Sequence, residues 1–113
     1  MSTDVAPEVL MTGLGSPNRP LVIDVRRTEA FCAEPVTIPG AIRRDPGALA
    51  DWSRALPAGR PLVVYCAHGH EVSRNARDEL RRLGFDADLL AGGLEAWKAA
   101  GGAVVAAAQG DRP

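Results

Sequence analysis

Hydrophobic positions in this chain come in short bursts separated by stretches with a helical rhythm. Leu21-Val22-Ile23-Asp24-Val25 is apolar, rich in β-branched residues and too short for a helix, so it reads as a buried strand. Leu62-Val63-Val64-Tyr65, entered through Pro61, is a second such run. Ala87-Asp88-Leu89-Leu90, closed by Gly92-Gly93, is a third and weaker one. Between them the period changes to that of a helix. Pro7 followed by Val9, Leu10 and Leu14 predicts a short opening helix. Asp45-Pro46 is a helix start, with Asp as N-cap and Pro in the first turn, and Leu49, Trp52 and Leu56 then share a face. The longest helix is expected over residues 72–83. Val72, Ala76, Leu80 and Leu83 form its inner stripe, Arg74, Arg77, Asp78, Arg81 and Arg82 lie mostly outward, and Gly84 stops it. Leu94 and Trp97 mark a last helix that ends at Gly101-Gly102. Trp52 and Trp97 fall on apolar stripes and are expected as core anchors.

Strands alternating with helices predict an α/β fold, a central mostly parallel sheet flanked by helices on both faces. A chain of 113 residues fits one domain, with its core over about residues 7–101 and a tail over 103–113 whose end, 110–113, should fray. In a parallel sheet ligands sit beyond the carboxyl ends of the strands. That rule points to residues 24–27, after the first strand, and residues 66–71, after the central one.

Composition narrows the classes. Hydrophobic residues make up 46% and charged residues 24%, the balance of a globular chain. The net charge of −1 gives no warrant for nucleic-acid binding. No apolar run approaches the roughly 20 residues of a membrane helix, and residues 1–10 show neither a basic nor an apolar export region. Two cysteines without an export signal suggest a reducing compartment, the cytoplasm, and a reactive or buried thiol instead of a disulfide.

The chemistry is expected in Tyr65-Cys66-Ala67-His68-Gly69-His70-Glu71-Val72-Ser73. A cysteine ends a buried strand, a loop containing glycine follows, and an amphipathic helix begins at once. Loop N–H groups turned inward and the unpaired N–H groups of the helix start stabilise a thiolate and lower its pKa. The competing reading makes Cys66 a small buried hydrophobe at a strand end. Cys32, in a short helical stretch over residues 28–33 with no glycine loop beside it, is expected to pack. Cys66, His68 and His70 are three candidate metal ligands, but a structural zinc site wants four in spaced pairs, so no metal is expected and the histidines read as exposed. A buried Asp24 needs partners, which Arg26 or nearby N–H groups supply.

Four segments in order resemble the rhodanese family of sulfurtransferases, over roughly residues 7–101. They are Leu21-Val22-Ile23-Asp24-Val25-Arg26, then Ile38-Pro39-Gly40-Ala41-Ile42 with Thr37 where the family usually has histidine. Val63-Val64-Tyr65-Cys66 with Gly69 and Leu90-Ala91-Gly92-Gly93-Leu94-Glu95-Ala96-Trp97 complete the set. The resemblance implies a rhodanese-type domain and sulfur transfer without a cofactor. Catalytic Cys66 would take sulfane sulfur from a small donor, thiosulfate or a persulfide, and pass it to cyanide, a thiol or a protein acceptor. The loop formed by Ala67, His68, Gly69, His70, Glu71 and Val72 would bind the anion. Asp24 and Arg26 would support the pocket. The alternative within the family is a catalytically weak regulatory, persulfide-carrier or binding module.

One departure matters. Thiosulfate-using members often carry Arg after the cysteine and again five positions beyond it, where this chain has Ala67 and Glu71. Glu71 would repel a dianionic donor and favour a persulfide, or it serves the helix start, where an acid faces the macrodipole favourably. His68 and His70 would restore positive charge if protonated. The related phosphatase chemistry needs Arg after five intervening residues; that position is Val72, so phosphatase and arsenate reductase activity are excluded.

Overall fold

The computed structural model describes residues 4–107. Its elements run α1 (Pro7–Leu14), β1 (Leu21–Asp24), α2 (Thr28–Ala33), β2 (Val36–Thr37), β3 (Ile42–Arg43), α3 (Leu49–Trp52), β4 (Leu62–Tyr65), α4 (Glu71–Arg82), β5 (Ala87–Leu89), α5 (Gly93–Ala99) and β6 (Val105–Ala106). Strands β3, β1, β4 and β5 lie side by side in that order, all parallel, with Ile23 opposite Ile42 and Val64, and Val64 opposite Leu89.

Side chains alternate across a strand, so each central strand feeds two cores. Ile23, Val25, Leu62 and Val64 join Leu49 of α3 and Ala76 and Leu80 of α4 on one face. Val22, Val63 and Tyr65 join Leu10 of α1 and Leu94 and Trp97 of α5 on the other. Burial on both faces is why β1 and β4 are nearly continuous apolar runs. The expected architecture, a parallel sheet between two helical layers, is the one observed.

α4 ends in a paired hydrogen-bond pattern: Phe85 N–H donates to Leu80 O at 3.0 Å and Gly84 N–H to Arg81 O at 3.0 Å. This turn corrects one expectation. Leu83 caps the helix and is 43% exposed, and Phe85 packs against the core in its place. Asp45 does cap a helical start, its Oδ1 accepting from Gly47 N–H at 2.9 Å. That start is a 3-10 turn, Pro46–Ala48, ahead of the short α3. Trp52 is therefore half-buried against the core and not a member of it, with its indole N–H donating to Asp45 O at 2.7 Å. Trp97 is the buried anchor, 2% exposed.

Cys32 is exposed, against the packing role expected for it. In the six-residue α2 the inward position is filled by Phe31, and its neighbour in sequence points out. The segment after Gly102, expected as a tail, folds back. β6 pairs antiparallel with β2, Trp97 Nε1 donates to Ala103 O at 2.8 Å, and Ala107 is buried. Residues 110–113, expected to fray, lie outside the described residues.

Candidate active site

β4 delivers Cys66 to the carboxyl edge of the sheet, between β1 and β5. The chain then turns through residues 67–70 and enters α4 at Glu71. Cys66 is 7% exposed. Burial alone pushes its thiol up. It is outweighed by the Ser73 hydroxyl and by the backbone N–H groups of Ser73, His70 and His68, which hold the Cys66 pKa below the ordinary thiol value. Ser73 Oγ lies 3.2 Å from the sulfur and 3.3 Å from His70 O. In the thiol form Ser73 accepts from Cys66 and donates to His70 O; once the thiol ionises, the hydroxyl turns and donates to sulfur.

The sequence placed the anion-binding groups within residues 67–72. The groups that act on the Cys66 sulfur are the N–H groups of His68 and His70 in that span and of Ser73 one residue beyond it. Ser73 is fully buried, on the inward face of α4 with Ala76 and Leu80. A polar residue on an apolar stripe was the available signal.

Gly69 does not line the pocket. It sits behind the loop at φ +73, where a Cβ would lie 2.7 Å from Gly92 N. Gly93, at φ +66, faces back, and a Cβ there would overlap Cys66 O and lie 2.6 Å from Gly69 N. Without those carbons the start of α5 closes onto the loop, and Leu94 and Glu95 N–H donate to Cys66 O and Ala67 O at 2.9 and 3.0 Å.

A cleft of about 240 Å³ opens in front of the sulfur. Ala67, His68, His70, Glu71 and Val72 form one wall; Arg26 and Arg27, between β1 and α2, and Ala30 of α2 form the other. Arg27 lies in the segment 24–27 to which the strand ends pointed, although no role was expected of it; Ala30 was not anticipated. His68 and His70 are exposed, their rings 6.1 Å apart. Among the described residues no group of three or more His, Cys, Asp or Glu is placed to hold a metal ion.

Asp24 and Arg26 lock the cleft's floor. Arg26 Nε reaches both Asp24 oxygens at 3.1 and 3.0 Å and Nη2 reaches Oδ2 at 2.7 Å, in an ion pair 2% and 0% exposed. The same guanidinium donates to Glu34 O at 2.9 Å and Val36 O at 2.7 Å, tying β1 to β2. Tyr65 completes this layer: its hydroxyl accepts from Ile38 N–H at 3.3 Å, and burial, then the Asp24 carboxylate, push its pKa up, so it stays protonated. Asp24 lies behind Arg26 and does not border the cleft.

The family model for the rhodanese-like domain matches residues 6–100. The thiosulfate sulfurtransferase GlpE of Pseudomonas syringae pv. syringae is 37% identical over 79 residues, 69% of this chain and 72% of that protein. The crystal structure of a rhodanese-related protein from Thermoplasma volcanium superposes with a TM-score of 0.79 at 24% identity, covering 92% of this chain and 98% of that one. A thiosulfate sulfurtransferase from Pseudomonas aeruginosa superposes with a TM-score of 0.80 at 27% identity, covering 95% of this chain and 20% of that one.

Proposed function

From its place in the rhodanese-like family, to which this chain belongs, we propose that it is a sulfurtransferase whose sulfur carrier is Cys66. The observation that carries the assignment is the sulfur's setting: a nearly buried thiol whose ionised form accepts from Ser73 Oγ and three backbone N–H groups at the mouth of a cleft.

The Cys66 thiolate attacks the outer sulfur of the donor. With thiosulfate a new S–S bond forms on Cys66, the donor's S–S bond breaks, and its electron pair leaves with sulfite. The charge then rests on the outer persulfide sulfur, toward the cleft. Donors fixed in advance around the inner sulfur cost little reorganisation as charge moves. Cyanide or a thiolate attacks the outer sulfur in the second step and returns the Cys66 thiolate. Nothing in the cycle requires a cofactor. The acceptor in the cell is a small thiol or a protein. No helix among the described residues is long and apolar enough to cross a membrane.

Intact mass after incubation of reduced protein with thiosulfate or a small persulfide tests the assignment. A gain of one sulfur, reversed by cyanide and absent in Cys66→Ser, is the expected result. No gain from either donor would leave a binding module on this fold.

A further inference from the structure

The two central strands carry the sulfur site at their carboxyl ends and begin beside two further cavities. β1 is entered through Arg19-Pro20 and β4 through Arg60-Pro61. Leu21 N–H donates to Pro61 O at 2.9 Å, so the two entrances lie side by side. One cavity, of about 300 Å³, has Leu14, Pro20, Val22 and Pro39 in its lining. The other, of about 260 Å³, has Pro17, Asn18, Gly59 and Pro61. Arg19 and Arg60 border both. Among the described residues no acid borders either cavity, and Asp86, at the neighbouring entrance to β5, is in neither lining.

Two guanidiniums that share a rim repel each other, and an opposite charge between them removes that cost. Nothing in the linings supplies it. The Arg19 side chain has no hydrogen-bond or ion-pair partner among the described residues, and Arg60 engages only Nε, on Arg19 O at 3.4 Å. The side chain of Asn18 is likewise unpaired there and adds a neutral donor to the smaller cavity. Pro17, Pro20, Pro39 and Pro61 fix φ around the two cavities, so their walls are formed in advance of a ligand.

We propose that Arg19 and Arg60 bind a small organic phosphate, a phosphomonoester dianion whose carbon body lies in the apolar cavity. Two guanidiniums match its two charges, and each planar fork presents paired N–H donors to phosphate oxygens. A carboxylate would leave one guanidinium without a counter-charge. Leu14, Pro20, Val22 and Pro39 then cover the body, and a cavity of about 300 Å³ suits one of about a single ring. The site is separate from the sulfur carrier. Pro61 and Cys66 stand at opposite ends of β4, about 16 Å apart along an extended strand.

The test is titration of reduced, isotope-labelled protein at pH 8 with phenyl phosphate, inorganic phosphate and benzoate, read by amide NMR shifts and by calorimetry. Phenyl phosphate is expected to bind tightest. It should shift the N–H signals of Asn18, Arg19, Gly40, Gly59 and Arg60 and leave those of His68 to Ser73 in place. Arg19→Ala and Arg60→Ala each weaken it about tenfold or more, the worth of a hydrogen bond to a charged group. Arg74→Ala removes an exposed guanidinium of α4 that has no partner among the described residues, and it leaves Kd unchanged. Arg19 is exposed, so its truncation keeps the fold and the comparison decisive. Inorganic phosphate binding as tightly as phenyl phosphate would overturn the apolar body, and benzoate doing so would overturn the dianion. No saturable shift at the five residues, shifts confined to residues 67–73, or equal losses in all three variants would overturn the site itself.

Discussion

Removing one oxygen from Ser73 asks how the sulfur is kept ionised. In Ser73→Ala the hydroxyl 3.2 Å from Cys66 Sγ disappears, while the N–H groups of Ser73, His70 and His68 remain. A hydrogen bond to a charged group contributes about 1.5–3 kcal/mol, so below the thiol's titration the thiolate-to-thiol ratio falls about ten- to a hundredfold. The bond favours the charged form and lowers the pKa, so its loss moves the titration up. A more basic thiolate is also a better nucleophile. With a Brønsted slope of about 0.4–0.5, nucleophilicity restores nearly half of the loss on a logarithmic scale. The alkylation rate at acidic to neutral pH therefore falls only about three- to tenfold. Above both titrations the variant reacts faster than the parent, and the two pH–rate curves cross. The assay is alkylation by neutral iodoacetamide from pH 5 to 10, followed by intact mass in a Cys32→Ser background, because Cys32 is exposed and would also react. Thermal melts accompany it, since in the thiol form the hydroxyl donates to His70 O instead and that bond is lost at a cost of about 1 kcal/mol. Superimposable curves, or a variant slower at every pH while still folded, would refute the role given to Ser73.

Other consequences follow from the same geometry. Asp24→Ala leaves the buried Arg26 guanidinium without its carboxylate and is expected to lower unfolding free energy by about 3–5 kcal/mol in urea titrations, whereas a loss under about 1 kcal/mol would mean the ion pair contributes little. Gly93→Ala puts a methyl group onto Cys66 O and Gly69 N in a left-handed backbone that costs an L-residue about 1–2 kcal/mol before the overlap, so both melting temperature and Cys66 alkylation rate should drop. Glu71→Gln removes the acid bordering the cleft, and loading from thiosulfate should rise by a larger factor than loading from benzenethiosulfonate; equal factors would place the carboxylate outside the donor's field. The same change forfeits about 0.3–1 kcal/mol of favourable charge in the first turn of α4, measurable as a slightly lower melting temperature.

The sheet was legible because its central strands are short apolar runs, and Val22 with Ile23 and Val63 with Val64 serve opposite cores. The long stripe of α4 was legible through Ala76 and Leu80 for the same reason of period. What escaped has no period to read. β2, β3 and β6 are two residues each, and β6 exists only through pairing with Val36 and Thr37, far away in sequence. α2 is too short for one face to be distinguished from the next, so Cys32 and Phe31 were not separable by pattern. Leu83 keeps helical spacing, yet the turn closed by Gly84 and Phe85 takes the chain off axis there. In the cleft, the cysteine and its loop follow from a motif along the chain. Ser73 closes that same segment and owes its role to the first turn of α4, which brings it back to the sulfur, whereas Arg27 depends on what lies across space from the motif.

The distance in sequence between the cysteine loop and the Gly92-Gly93 pair conceals a single requirement. Peptide N–H and C=O groups point in opposite directions, so a loop that aims N–H groups at a sulfur aims carbonyls away from it, toward the interior. Carbonyls turned inward need donors, or the loop forfeits in desolvation what it gains around the thiolate. The first turn of a helix has N–H groups with no partner of their own. α5 supplies them: Leu94 N–H meets Cys66 O and Glu95 N–H meets Ala67 O. Two helix starts thus act on one loop from opposite sides, α4 bringing Ser73 N–H to the sulfur and α5 holding the carbonyls. The contact requires backbone to approach backbone, which Gly69 and Gly93 permit and a Cβ at either position would prevent. The glycine pair is on this account part of the sulfur site, although neither residue borders the cleft.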